Sequence, residues 1–537
     1  MSDRDATPYY ITTAIPFVNG RPHMGHAMEY VLTDAYARFQ RLCGRDVRFQ
    51  TGSDENSLKN VQAAEKEGIP TTDLVARNAQ YFVDLRESLD LSFDDFIRTS
   101  AEARHAEGAR KLWQACAARG DFYRKSYEGL YCVGCEQYYA PDELVDGRCP
   151  EHATVPERVE EENWFFRLSR YQAELERLID TDELRVRPPT RKNEVLSFIR
   201  GGLADFSVSR SEARAKGWGI RVPDDPDQVM YVWVDALSNY ITALDYAGEG
   251  ETYRRFWSEC PDRIHVIGKG IIRFHAVYWP ALLLSAGVPL PTEIFVHGYV
   301  TTGGSKMSKS LGNVLDPVAL AAEHGIDALR YMLLRHIRST EDGDFTLERF
   351  VAAHNADLAD QLGNLLRRTT NMTNRYFGGL VPTPVDGVLE DEAAPLLESA
   401  SILGDRVAAA MADYLNHDAL EAIWTVLAEA NRFLVVVEPW QLAKRRADPT
   451  IEARLATCLY DVAEALRLVA FTLQPFLPAT ADGVARQLGL SDAGGGRSWA
   501  EGTQWGVLAP GTAVAEGAVL FPKLELPVSD DGETSAS

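Results

Sequence analysis

The chain has 537 residues, 45% apolar and 25% charged, which is ordinary for a globular protein and long enough for several domains. No uninterrupted apolar run approaches about 20 residues, so no membrane-spanning helix is expected; the polar, acidic start lacks a signal-peptide core, and a cytoplasmic protein is expected. A formal charge of −23 argues against a general nucleic-acid binder, although local basic clusters (Arg367-Arg368, Lys444-Arg445-Arg446) leave room for a localised binding strip.

In chain order, Tyr10 to Ile15 reads as a strand, followed by a turn-rich loop with Pro16, Asn19, Gly20 and Pro22. A helical pattern begins near Met24, with Met28, Val31, Leu32, Ala35 and Phe39 on one side. His23-Met24-Gly25-His26 sits where strand hands over to helix. Backbone N–H groups there attract anions, glycine permits close approach, and each imidazole adds a donor. Packed or capping histidines would account for this tetrapeptide equally well.

Arg45 to Gln50 is a second strand, running into Thr51-Gly52-Ser53-Asp54-Glu55-Asn56. Helices follow over 57–68 and 72–89. Such alternation predicts an α/β fold with a Rossmann-like, doubly wound parallel sheet whose ligands lie beyond the carboxyl ends of the strands. Asp54 falls at that edge, either to neutralise an ammonium or to cap the next helix.

The alternation breaks over 120–226, an expected insertion. It holds Cys132-x2-Cys135 and, thirteen residues on, Cys149-x2-His152, four soft ligands in two closely spaced pairs that suit one structural zinc ion. Disulfides are the alternative, disfavoured where no export signal is seen; the scattered Cys43, Cys116, Cys260 and Cys458 fit buried thiols.

The α/β pattern resumes near Gln228. Val229–Val234 reads as a strand with a helix from Asp235; Ile264–Gly268 and Glu293–His297 read as the last strands. Gly304-Ser305-Lys306-Met307-Ser308-Lys309-Ser310 is a lysine loop that, alone, reads as a solvated turn. Trp233, Tyr240, Phe274 and His275 are core aromatics or, as a group at strand ends, a pocket for an apolar side chain; aromatic edges also suit a thioether. From about Leu347 the period is helical, with segments at 352–376, 394–415, 418–437 and 451–473, a helix bundle. The acidic end is expected to be disordered. The expected divisions are 1–119 and 227–298 for the two halves of the α/β domain, 120–226 for the insertion, 299–350 for the lysine-loop region, 351–526 for the bundle and 527–537 for the tail.

An HxGH tetrapeptide after the first strand together with Lys-Met-Ser-Lys-Ser after a late one resembles the class I aminoacyl-tRNA synthetases. The segments around Ile15-Pro16, residues 202–210, 231–240, 267–275 and 296–299, with Asn364-x3-Arg368 and Glu438-Pro439-Trp440, are similar to those of methionyl-tRNA synthetases over nearly the whole chain. The resemblance implies that ATP lies across His23, Gly25 and His26, with Lys306, Ser308 and Lys309 closing over its phosphates and Mg²⁺ accompanying it. His23, His26, Lys306 and Lys309 would be the catalytic groups. L-Methionine would place its ammonium at Asp54 and the Ile15 backbone, and its side chain among Ile15, Ala236, Leu237, Tyr240, Ile271, Phe274 and His275, with Trp233 close by. The helical domain would bind the anticodon of tRNA(Met) through Asn364, Arg368 and Trp440. Cys132, Cys135, Cys149 and His152 would hold the zinc, and without an appended dimerisation module a monomer is expected.

This chain departs from that family at three places: Asn56-Ser57 stand for the usual His-Gly, Gly270 for an aspartate, and Phe17 for a tyrosine. Two other readings follow. A related enzyme for valine, isoleucine or leucine would need an editing domain larger than this insertion, and a cysteine enzyme would need zinc in its active site. A non-catalytic paralogue that still binds tRNA or nucleotide would find its support in Gly270 and Asn56-Ser57.

Overall fold

The computed structural model describes residues 6–134, 136–139, 141–150, 153–302, 305–306 and 315–526. The chain divides into two compact units, Met1–Ala37 with Arg45–Gly298, and Arg38–Gly44 with Tyr299–Ser537. The strands of the first unit are β1 (Pro8–Thr13), β2 (Asp46–Ser53), β3 (Asp95–Arg98), β4 (Phe122–Cys132), β5 (Gln137–Tyr139), β6 (Glu157–Phe166) and β7 (Arg185–Arg187). They continue as β8 (Phe206–Ser207), β9 (Ser209–Ser211), β10 (Arg221–Val222), β11 (Asp225–Met230), β12 (Asp262–Gly268) and β13 (Glu293–His297).

Six of them form the main sheet in the order β3-β2-β1-β12-β13-β7, with every neighbouring pair parallel. Ile11 of β1 lies in register with Phe49 of β2 on one side and Ile264 of β12 on the other. Residues Tyr9 to Thr13 are all buried, as a strand covered on both faces requires. The chain leaves β1 for β2 on one flank and returns much later as β12 on the other. That reversal opens a crevice at the carboxyl ends of β1 and β12, the usual ligand position in such sheets. Gly52 near the end of β2 serves this packing: a Cβ there would lie 2.3 Å from the Ile97 carbonyl oxygen and 3.2 Å from Ile15 Cγ2.

Two expectations change. The stretch 120–226 holds the antiparallel sheets β5-β4-β6-β8 and, with the strand that follows it, β10-β11-β9, but β7 within it crosses to the main sheet and pairs with β13, Arg187 opposite Phe295. Three residues reading Arg-Val-Arg carry too little pattern to announce a strand. The strand expected over Val229–Val234 stops at Met230, and Val232–Thr242 is a helix in which every residue is buried. Tyr231 caps it, its carbonyl accepting the N–H groups of Val234 (2.8 Å) and Asp235 (3.1 Å). Burial on all sides overrides the β-propensity of the two valines.

In the second unit β14 (Val300–Thr302), β15 (Ser305–Lys306) and β16 (Gly343–Asp344) form a small sheet in the order β15-β14-β16. The remainder is helical. The helices Asn416–Val437 and Pro449–Leu473 pack together, the second capped by the Asp448 carboxylate on the Thr450 N–H and buried along most of its length. A buried ion pair on it, Glu464 with Arg467, holds the following segment: the carboxylate accepts the N–H groups of Gly506, Val507 and Leu508, and the guanidinium donates to the carbonyls of Gly502 and Gln504. Among the described residues no helix is long and apolar enough to cross a membrane. The expected acidic tail lies outside the described residues.

Candidate active site

The loop between β1 and the helix Met24–Leu42 is tied down at both ends. Ala14 N–H donates to Glu29 Oε1 at 2.8 Å, and the other oxygen of Glu29 meets His297 Nε2 at 2.8 Å at the end of β13. Asn78 Nδ2 donates to the Val18 carbonyl at 2.7 Å. The His23 carbonyl accepts the N–H groups of His26 (2.9 Å) and Ala27 (3.1 Å), which starts the helix. The two imidazoles stack at 3.7 Å.

His26 Nδ1 accepts the His23 N–H, and His23 Nδ1 accepts the Gly25 N–H. In the neutral rings the proton is therefore on Nε2, a donor suited to a phosphate oxygen beside a helix N-terminus. Gly25 makes room for this fold-back, since a Cβ there would lie 3.0 Å from His23 Cε1.

At the end of β2 the structure separates the two readings of Asp54. The cap of the helix Leu58–Glu67 is Ser57, whose side chain accepts the Asn60 N–H. Asp54 is buried, its N–H bonded to the Pro16 carbonyl, and its Oδ1 has no hydrogen-bond partner among the described residues. Burial, and next the charges of Asp235 and Glu136, push its carboxyl well above the usual range. An unsatisfied buried carboxylate oxygen is costly unless a cation completes it.

The neighbouring Glu55 faces the other way, accepting from Arg98 Nε at 2.7 Å and from Ser53 Oγ at 2.8 Å. Asn56 and Ser57, where the sequence departs from the family it resembles, both have work: Ser57 caps, and Asn56 Nδ2 donates to Asp235 Oδ2 at 2.8 Å. Asp235 Oδ1 in turn meets His105 Nε2 at 2.6 Å, and His105 Nδ1 meets Thr242 Oγ1 at 2.8 Å.

Most residues marked for an apolar side chain lie together. Trp233 stacks on Phe274 at 3.7 Å with the planes 6° apart, and meets Phe17 and His275 edge to face. Tyr240 shares a hydrogen bond with His275 Nε2 at 2.7 Å, and His275 Nδ1 lies 3.0 Å from the Ile271 carbonyl. A carbonyl only accepts, so Nδ1 carries the proton and Tyr240 O–H donates to Nε2. Burial holds the His275 imidazole down to about 4. Ala236 and Leu237 are buried on the same helix, and Ile15 and Ile271 are half-buried.

Beneath them His265, which the sequence did not mark, stacks on Tyr240 at 3.9 Å and bonds Thr12 Oγ1 at 2.9 Å. Burial also drives its pKa well below normal. The Gly270 position is exposed at the end of β12, with no side chain offered there.

Of the four zinc candidates, Cys135 and His152 lie outside the described residues. Cys132 and Cys149 are thiols in one small buried cluster with Tyr139 and Leu144. Each ends an approach to a tight turn: β4 runs into Cys132, and a Val145–Arg148 bridge precedes Cys149. No disulfide joins them, and among the described residues no group of three or more His, Cys, Asp or Glu is placed to hold a metal ion.

In the lysine loop, Ser308 and Lys309 lie outside the described residues, and Lys306 is described by its backbone alone, in β15. In the helical unit Asn364 opens the helix Asn364–Phe377, exposed. Arg368, one turn on, places its guanidinium 5.4 Å over the ring of Trp440.

Asp235 and Asn56 escaped the sequence reading as a pair; the available signal was a carboxylate inside the apolar run Val232–Leu237. Glu29 was hidden likewise, a charge on the helix that follows His-Met-Gly-His.

The model of the family described as tRNA synthetases class I (M) matches residues 9–155 and 152–370. A methionine--tRNA ligase of Mycobacterium bovis is 44% identical over 532 residues, covering 98% of this chain and all of that protein. One of Brucella suis is 47% identical over 478 residues, covering 88% and 90%. The structure of Mycobacterium tuberculosis methionyl-tRNA synthetase in complex with methionyl-adenylate matches with a TM-score of 0.91 and 45% identity, over 96% of this chain and 100% of that one. By sequence over nearly its full length and by fold, the chain belongs to the class I aminoacyl-tRNA synthetases of the methionine type, the methionine--tRNA ligases.

Proposed function

We propose that the crevice at the ends of β1, β2 and β12 carries both steps of methionyl-tRNA formation. The observation that supports it most is the buried Asp54 oxygen without a partner among the described residues, set beside an aromatic pocket whose polar atoms bond one another. An α-ammonium completes Asp54, and an unbranched thioether fits among Trp233, Phe274, Tyr240 and His275 without needing a hydrogen bond. In the first step a methionine carboxylate oxygen attacks the α-phosphorus of ATP, and the bond to pyrophosphate breaks. In the second a terminal ribose hydroxyl of tRNA(Met) attacks the adenylate carbonyl, and AMP leaves.

The protein's part is positioning and the stabilisation of developing negative charge. His23 and His26 present Nε2 donors to the phosphates, and Lys306, Ser308 and Lys309 are assigned to the phosphates by their motif. Mg²⁺ bound with ATP offsets phosphate charge. Cys132, Cys135, Cys149 and His152 would hold one zinc ion as a structural clip, with no open coordination position for chemistry. Asn364, Arg368 and Trp440 form the anticodon-reading face, Trp440 as a stacking platform.

Amino-acid-dependent exchange of pyrophosphate into ATP, run across the twenty amino acids, tests the pocket. Exchange with methionine alone is expected, and exchange with another amino acid in its place would overturn the pocket assignment. Metal analysis of the purified protein is expected to find one zinc per chain.

A further inference from the structure

We propose that Asn56 is a positioning residue for the ammonium site: from two residues beyond Asp54, its amide fixes the carboxylate of Asp235 by a side-chain hydrogen bond, so that Asp54 keeps its open oxygen for substrate. This rests on the reading of Asp54 as the ammonium partner.

Three observations carry it. Asn56 lies two residues beyond Asp54, and its Nδ2 donates to Asp235 Oδ2 at 2.8 Å and lies 3.4 Å from the Thr99 carbonyl. The opposite oxygen of Asp235 is occupied by His105, so Asn56 is the second of two clamps on that carboxylate. Asp54 Oδ1 is left without a partner among the described residues. Two buried carboxylates within electrostatic reach repel each other. An amide is the group that bonds one without adding charge to the pair.

Other charged groups surround the pair. Glu136 faces it from the β4–β5 turn, Arg210 on β9 partly offsets Glu136, and Lys59 lies in the first turn of the next helix with its N–H toward Glu136. Glu55, in the same loop, is neutralised by Arg98. Among these groups Asn56 is the one that hydrogen-bonds Asp235.

The test is methionine-dependent pyrophosphate exchange with variants that move charge while keeping shape. Asn56→Ala is expected to raise KM for methionine about tenfold with kcat within about twofold, the loss of one hydrogen bond to a charged group. Asn56→Asp, which adds a third carboxylate, is expected to raise it further. It should also move the acid limb of kcat/KM to higher pH, because added negative charge makes Asp54 hold its proton longer. Asp235→Asn is expected to move that limb to lower pH.

The double variant Asn56→Asp with Asp235→Asn exchanges amide and carboxylate and is expected to recover most of the lost KM. Recovery also shows that the single variant was folded but wrongly charged. If Asp54→Asn raises KM while Asn56→Ala, Asn56→Asp and the exchange all leave it unchanged, the positioning role is overturned and the ammonium reading stands. If Asp54→Asn has no effect on KM, the ammonium reading itself fails and this inference with it.

Discussion

The pocket proposed for methionine and the face proposed for the anticodon are built by opposite means. In the pocket, Trp233, Tyr240, Phe274 and His275 are buried, Trp233 stacked on Phe274 and Tyr240 hydrogen-bonded to His275, and the buried Asp54 keeps one carboxyl oxygen without a partner among the described residues. On the face, Asn364 is exposed and Arg368 lies over a half-buried Trp440, with solvent available to both. A small substrate offers few atoms, so discrimination has to come from a dry, pre-organised shape in which each polar group counts heavily. A long polyanion offers many contacts, and exposed stacking and charge suffice, with a strong dependence on salt.

The largest expected effect lies in the pocket. Asp54→Asn is expected to lower kcat/KM for methionine by about 2–5 kcal/mol, roughly thirtyfold to a few thousandfold, while KM for tRNA is unchanged. A loss shared equally by methionine and tRNA would break the division between the two sites. On the face, Trp440→Ala is expected to weaken tRNA binding by about 1–3 kcal/mol, read as KM in aminoacylation, and to leave pyrophosphate exchange untouched. An effect on exchange would show that the two regions are not separable.

Tyr240→Phe sharpens the picture of the pocket. It strips the donor from His275 Nε2 and is expected to cost about 1–2 kcal/mol of stability, measured by urea unfolding of the exchange-competent enzyme. The smallest effect is in pH. His275 is held down to about 4 by burial, so between the ordinary histidine value of 6.5 and about 4 the unfolded chain binds more protons than the folded one. Its share of stability is intact above that window and is lost as pH falls through it, about 1 kcal/mol between pH 7 and 5.5. Unfolding midpoints of the parent and of His275→Gln across those values check this; parallel slopes would mean that His275 is not buried neutral.

Much of this was legible in the chain itself. The strands β1, β12 and β13 each carry a short run of apolar, aromatic or β-branched residues bounded by turn residues, and that local pattern is enough to mark them as buried strands. The histidine tetrapeptide, the lysine loop and the cysteine pairs are also local, since each depends on spacing within a few residues. Leu58–Glu67 announces its own ends with Ser57 and Gly68.

What the sequence could not determine was set by partners far along the chain. β7 exists because β13 offers it an edge, 108 residues away at the Arg185–Glu293 contact. Val232–Val234 are helical because their surroundings bury them on every side, against their own preference. Asn56 finds Asp235 across 179 positions, and the cap of Leu58–Glu67 is Ser57 rather than Asp54, whose Oδ1 has no partner among the described residues. Periodicity and turn chemistry act over a few residues and survive in the sequence. Charge pairing and burial act through space, so only the folded chain decides which carboxylate is satisfied and which is left open.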